Sequence, residues 1–88
     1  MASTVKLSNR ALALKEAFEL PVDGPLLTIE DLMADFRCSR RQIEMLFELG
    51  KIASFKDGKH RVTTPAARDE YIRRRMAEEL QRLEDLTK

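Results

Sequence analysis

The fold of this chain depends on residues 38–61, which read CSRRQIEMLFELGKIASFKDGKHR. Ser39 and Gln42 have the spacing of a capping box, in which two side chains satisfy free backbone N–H groups at a helix start. Apolar residues follow as far as Leu49, and Gly50 suits the left-handed conformation that ends many helices. The order of these signals predicts a helix followed by a β-hairpin.

The predicted hairpin pairs residues 52–56 with residues 59–63. Asp57-Gly58 between them predicts a two-residue type I′ turn, which needs positive φ at both positions. The apolar residues expected to point inward are Ile52, Phe55 and Val62. The basic residues expected at or near the tip are Lys56, Lys59, His60 and Arg61.

Within the central helix, the apolar residues predict a buried face that widens towards the C-terminal end. This face comprises Ile43, Leu46 and Phe47, with Met45 and Leu49 at its edges. The side expected to be exposed carries Arg40, Arg41, Glu44 and Glu48.

A further helix over residues 27–36 is predicted just before the central one, with Thr28 as N-cap and Glu30 and Asp31 in its first turn. Its apolar residues recur at helical spacing and should face the core: Ile29, Leu32, Met33 and Phe36. Arg37 and Cys38 form a tight connection. Two helices joined by about three residues are typical of a helix-turn-helix.

A helix also flanks this segment on each side. Residues 7–19 place Leu7, Ala11, Leu14 and Phe18 on one face, Ser8 is a suitable cap, and Pro21 ends the helix. Whether it packs on its own domain or on a partner is open at this point.

Thr64 and Pro65 are suited to the N-cap and first position of the last helix, which runs to about Leu86 without a breaker. Its apolar stripe comprises Tyr71, Ile72, Met76, Leu80, Leu83 and Leu86. The helix is longer than a domain of this size needs, so its last three turns are expected to project and pair with a second copy.

The fold class predicted is therefore mostly α with a small β-hairpin: a winged helix-turn-helix with an extra N-terminal helix and a long C-terminal helix. The 88 residues correspond to one domain in three parts, namely 1–25, 26–64 and 65–88. One cysteine and the lack of a long apolar run favour a cytoplasmic protein with no membrane association. No catalytic or metal-binding constellation is evident, so neither enzyme activity nor a cofactor is expected.

Charge is unevenly distributed along the chain, although the net charge is only +1. Residues 37–61 hold seven basic and three acidic residues, whereas residues 1–36 hold three basic and six acidic ones. A local concentration of positive charge matters more for phosphate binding than the net value. We therefore predict double-stranded DNA as the partner.

Arg40 and Arg41 lie at the helix start that a helix-turn-helix presents to base edges in the major groove. Arginine suits bidentate contact with guanine, and either residue can instead hold a phosphate. The basic hairpin residues Lys56, Lys59, His60 and Arg61 suit phosphates or the minor groove. Arg73, Arg74 and Arg75 form either a second phosphate-contact patch or a solvated face.

Residues 27–55, LTIEDLMADFRCSRRQIEMLFELGKIASF, resemble the DNA-binding segment of excisionases and MerR-like winged-helix proteins. The shared features are an apolar-Thr opening, a short acidic helix, a Ser-Arg-Arg helix start and Gly-Lys-aliphatic before the wing. The resemblance covers about residues 26–72. It implies that Ser39, Arg40, Arg41, Gln42 and Glu44, together with the wing Lys56 to Arg61, contact DNA.

The small size is more similar to an excisionase than to a MerR-type regulator. The resemblance then implies a DNA-bending protein that directs a phage integrase towards prophage excision in a bacterial host. Copies are expected to self-associate on DNA through the N- or C-terminal helix. Two alternatives remain: a small phage transcriptional regulator, and a protein–protein adaptor that uses its terminal helices.

Overall fold

The computed structural model describes residues 8–87. Four helices and three short strands follow one another in the order α1 (Asn9–Ala17), β1 (Leu27–Thr28), α2 (Ile29–Phe36), α3 (Arg40–Glu48), β2 (Phe55–Asp57), β3 (His60–Thr63) and α4 (Pro65–Leu86). The strands form one antiparallel sheet in the order β1-β3-β2. A mostly helical chain with a small sheet is therefore confirmed in that general form.

The helix starts follow their sequence signals closely. The side chains of Ser8, Thr28, Ser39 and Thr64 each accept a hydrogen bond from a backbone N–H in the first turn of their helix. Ser39 and Gln42 make the predicted reciprocal capping box, with the Ser39 N–H donating to Gln42 Oε1 at 2.9 Å. Each such cap contributes about 1 kcal/mol.

The hairpin differs from the prediction in its position along the chain. Residues 52–54 are not in a strand, because the N–H groups of Lys51 and Ile52 both donate to the carbonyl of Leu46 and complete the end of α3. Asp57 pairs with His60, so the loop is Gly58-Lys59 rather than Asp57-Gly58. Only Gly58 of these two has positive φ, at 67°, which is the pattern of a type II′ turn.

The third strand was not predicted, because Leu27 and Thr28 were assigned to the start of a helix. Both residues pair with β3, Leu27 opposite Thr63 and Thr28 opposite Val62. Thr28 thus ends a strand and caps α2 at once. This arrangement fixes the start of α2 against the sheet.

The core lies between α2, α3 and the segment leading into the sheet. Its buried cluster is Ile29, Leu32, Ile43, Phe47 and Ile52. Phe36 and Tyr71 pack against this cluster with their rings edge to face, 5.7 Å apart. Tyr71, Ile52 and Val62 are therefore packing residues, as predicted.

The widened apolar face predicted for α3 is wrong at its edges. Met45 and Leu49 are 45% and 49% exposed, whereas Ile43 and Phe47 are buried. Within the described residues, α3 buries only Ile43 and Phe47 and half-buries Leu46, and its outer side is exposed. Most of the length of α3 is accordingly available to another molecule.

The N-terminal helix packs on its own domain. Gly50, with φ of 72°, lies so close to α1 that an added Cβ would stand 2.2 Å from the Asn9 carbonyl oxygen. At its other end, Glu16 accepts a 3.1 Å hydrogen bond from Arg74 of α4. The helix ends earlier than predicted, since tight turns at Glu19 and Leu20 precede Pro21. Phe18 is consequently 83% exposed, and Leu7 lies outside the described residues.

We expect Gly50→Ala to displace α1 from the domain. The substitution forces a left-handed residue to carry a Cβ, which costs about 1 kcal/mol, and adds a clash with backbone that cannot rotate away. Amide hydrogen exchange should accelerate across residues 9–17 while residues 29–48 stay protected. Gly58→Ala is the control, because it has the same sign of φ but open space around it. Equal behaviour of the two variants would contradict this packing of α1.

The C-terminal helix packs on the domain with its first two turns, and Arg74 adds the exposed hydrogen bond to Glu16. Arg68 donates one hydrogen bond to Asp35 of α2 at 3.0 Å and another to its neighbour Asp69 at 3.1 Å. These bonds, the one to Asp35 foremost, raise the pKa of Arg68. Ala67 is buried and Tyr71 half-buried, but every described residue from Ile72 onward is exposed. The predicted projection of the last turns is therefore present.

Candidate nucleic-acid interface

Ser39 and Gln42 both have structural roles at the start of α3. Ser39 Oγ accepts from the Gln42 N–H, and Gln42 Oε1 accepts from the Ser39 N–H. Both residues are exposed, but their side chains are occupied by the capping box. Contact between these two side chains and DNA stays a prediction, and it would have to coexist with the cap.

Arg40 lies between two carboxylates in the free protein. Its guanidinium donates to Glu30 of α2 at 2.9 Å and to Glu44, one turn further along α3, at 3.2 Å. These hydrogen bonds raise the pKa of Arg40, whereas the pKa of Glu30 is lowered, first by a backbone hydrogen bond and then by Arg40. The Arg40–Glu30 ion pair thus links α3 to α2, whereas Glu44 holds the guanidinium from within α3. A phosphate would compete with both carboxylates for that guanidinium.

Arg41 is also exposed but makes no ion pair with any residue between 8 and 87. It stands in the first turn of α3, on a helix that the Ser39 cap and the core residue Ile43 hold in place. A rigid backbone carrying an unpaired guanidinium is well suited to contact a base edge or phosphate. Of the two predicted arginines, Arg41 is the one whose guanidinium has no ion pair within residues 8–87.

The hairpin tip presents its basic side chains to solvent. Lys56, Lys59 and His60 are exposed, and none takes part in an ion pair within the described part of the chain. Lys59 occupies the turn itself, beside Gly58. Together with Arg40, Arg41 and Arg61, these residues form what we call the basic face.

Arg61 differs from the other predicted hairpin residues because it is partly buried. It donates to Ser54 Oγ at 2.9 Å, and Ser54 is itself buried. Burial lowers the pKa of the Arg61 guanidinium, and the nearby positive charge of Arg10 lowers it further. The Arg61 side chain is therefore held against the body of the domain, within electrostatic reach of Arg10 on α1.

A cleft joins the exposed side of α3 to the sheet, and we call it the α3–β3 cleft. Its lining comprises Arg10, Ile29, Glu44, Phe47, Glu48 and Arg61. Sequence reasoning missed Arg10, because no periodicity links the first turn of α1 to a hairpin fifty residues later. The excess of basic residues that pointed to residues 37–61 did not point to Arg10, because Arg10 lies in the acidic segment 1–36.

Among residues 8–87, no helix has both the length and the apolar character needed to cross a membrane. In the same range, no three His, Cys, Asp or Glu side chains are grouped so that they could hold a metal ion. Cys38 is half-buried at the junction of α2 and α3, where it packs against the core.

Comparison with protein-family models, curated proteins and solved structures found no match to this chain. The resemblance to excisionases and MerR-like proteins therefore stays a prediction based on the residues quoted above.

Proposed function

We propose that this protein is a winged helix-turn-helix DNA-binding protein, with α3 as its recognition helix and the β2–β3 hairpin as its wing. The observation that carries this proposal is the basic face. Apart from the partly buried Arg61, its side chains are exposed, at the start of the capped helix α3 and at the hairpin tip. An α-helix fits the major groove, and a flanking hairpin reaches the adjacent backbone or minor groove.

The ion pairs of individual residues support the proposal better than the net charge of the chain does. Arg41, Lys56, Lys59 and His60 lack carboxylate partners within residues 8–87, so binding a phosphate would break no ion pair at these positions. By contrast, many cations outside the basic face are already paired, including Arg68, Arg74 and Arg82. Affinity would come chiefly from neutralising phosphates and releasing counterions.

The projecting half of α4 is, we propose, where two copies associate. Met76, Leu80, Leu83 and Leu86 form an exposed apolar stripe together with Ile72. The start of this stripe is basic, with Arg73, Arg74 and Arg75, whereas its end carries Glu78, Glu79, Glu84 and Asp85. An antiparallel pair places the basic start beside the acidic end of the other copy, while a parallel pair would oppose like charges.

Ending the chain after Arg75 should abolish this association without unfolding the domain, because residues 76–87 are all exposed. At low protein concentration, the free energy of unfolding should change by less than about 0.5 kcal/mol. Sedimentation should show a dimer for the full chain and a monomer for the shortened one. Leu80→Lys should be monomeric, because it places a charge in the apolar stripe. Gln81→Lys, which lies outside the stripe, should remain a dimer. A monomeric full chain, or an unfolded shortened one, would contradict this role for α4.

The specific role that we propose is that of an excisionase: bending DNA and directing a phage integrase towards excision in a bacterial host. It rests on the quoted resemblance. The test is to select binding duplexes from a random pool, measure their bend by gel mobility, and assay integrase-dependent excision. Binding without bending or excision would favour the alternative of a small phage transcriptional regulator.

A protein–protein adaptor is the second candidate, and the exposed stripe of α4 favours it. An adaptor would associate through α4 but show no salt-sensitive binding to any duplex. The basic face would then be an ordinary solvated surface.

A further inference from the structure

We propose that Arg10 and Arg61 together hold a DNA backbone phosphate in the α3–β3 cleft, so that α1 is part of the DNA-binding surface. This inference rests on the proposed DNA-binding function. It adds to that function a phosphate site that includes a residue outside the helix-turn-helix and wing.

The first argument is the placement of the two guanidinium groups. Arg10 from α1 and Arg61 from β3 line the same cleft, although they lie far apart in the chain. Neither has a carboxylate within 4.0 Å among residues 8–87. Two like charges at one cleft repel each other, and a bound anion relieves that repulsion.

The second argument is that Arg61 is held in place. The hydrogen bond that the Arg61 guanidinium donates to Ser54 Oγ, at 2.9 Å, fixes its orientation, and partial burial limits the rotation of the side chain. Arginine presents five N–H donors in a planar fork, so the bond to Ser54 leaves others for a ligand. A pre-oriented guanidinium loses less entropy when it binds a phosphate.

The third argument is the course of the DNA. A duplex has a sugar-phosphate backbone between each major groove and the adjacent minor groove. If α3 enters the major groove and the hairpin follows the neighbouring groove, that backbone must cross the space between α3 and β3. The α3–β3 cleft lies there, with Glu44 and Glu48 of α3 on one side and Arg61 of β3 on the other.

The two carboxylates in the cleft do not fill the same role. Glu44 accepts a hydrogen bond from Arg40, so its charge is already partly neutralised. Glu48 has no ion pair in the described chain and would repel a phosphate. Because Arg40 pairs with Glu44, the two positive charges of Arg10 and Arg61 face only the negative charge of Glu48, and the cleft attracts an anion.

The test compares Arg10→Ala with Lys15→Ala, an equal loss of charge at an exposed position of the same helix that does not line the cleft. Binding of a short labelled duplex is titrated at several salt concentrations. Arg10→Ala should reduce the slope of log K against log salt by about 0.9, and weaken binding about five- to tenfold near 0.1 M salt. Arg10→Lys should restore most of the slope, because it retains the charge.

The outcomes separate this inference from the function on which it rests. If the unmodified protein binds but Arg10→Ala and Lys15→Ala change the slope equally, the cleft site is wrong and DNA binding stands. If the unmodified protein shows no salt-sensitive binding to any duplex, both proposals fall together.

Discussion

Phe47→Ala is expected to lower the free energy of unfolding by about 3–5 kcal/mol, enough to unfold much of the protein. Phe47 is 2% exposed and is the largest of the fully buried side chains. It lies on α3 and lines the α3–β3 cleft together with Glu44 and Glu48. Its loss leaves a cavity under the helix that carries the basic face, so DNA binding should be lost with the fold.

Met45→Ala is the matched control for this prediction. It removes a large apolar side chain from the same helix, but one that is nearly half exposed. Its expected cost is about 0.5 kcal/mol, as for a surface position. Urea unfolding followed by circular dichroism measures both values. Similar costs for the two variants would mean that α3 packs on the core by a different face.

Arg41→Ala should weaken binding to the preferred DNA site by about 1–3 kcal/mol, which is about five- to 150-fold, if Arg41 reads a base. The fold should be unaffected, because Arg41 is exposed and makes no ion pair within residues 8–87. Competition between the selected duplex and a scrambled one measures the effect. The loss should be much smaller on the scrambled duplex.

Arg41→Lys and Lys15→Ala serve as controls for Arg41→Ala. Lysine keeps the charge but cannot make a bidentate contact, so Arg41→Lys should still lose discrimination between the two duplexes. Lys15→Ala removes one charge from exposed α1 and should affect both duplexes slightly and equally. If Arg41→Ala weakens both duplexes to the same extent, Arg41 is a phosphate contact rather than a base contact.

Local signals in the sequence were sufficient for the helix starts and for part of the core. All four predicted N-caps are present, at Ser8, Thr28, Ser39 and Thr64. Each cap bonds only to a residue within one turn of its own helix. Gly50 ends α3 as expected, with positive φ. These features depend on short-range hydrogen bonds, so spacing alone identifies them.

Features that depend on tertiary contacts were not predictable in the same way. The exposure of Met45 and Leu49 depends on which elements cover that side of α3, and periodicity does not reveal that these two side chains are left uncovered within residues 8–87. The shift of the hairpin follows from the hydrogen bonds that Lys51 and Ile52 donate to Leu46. The ion pairs of Arg40 with Glu30 and Glu44 and the proximity of Arg10 to Arg61 likewise need the folded arrangement.

The charge placement supports DNA binding through a small number of phosphates, and the salt dependence of binding tests this most directly. Anisotropy of a labelled duplex should report micromolar binding near 0.05 M salt, and log K should fall with log salt with a slope of about −3 to −5. Neutralising Arg41 and Lys59 together should reduce that slope by about 2. Binding that does not change with salt, or no binding at about 0.1 mM protein, would contradict the proposed function.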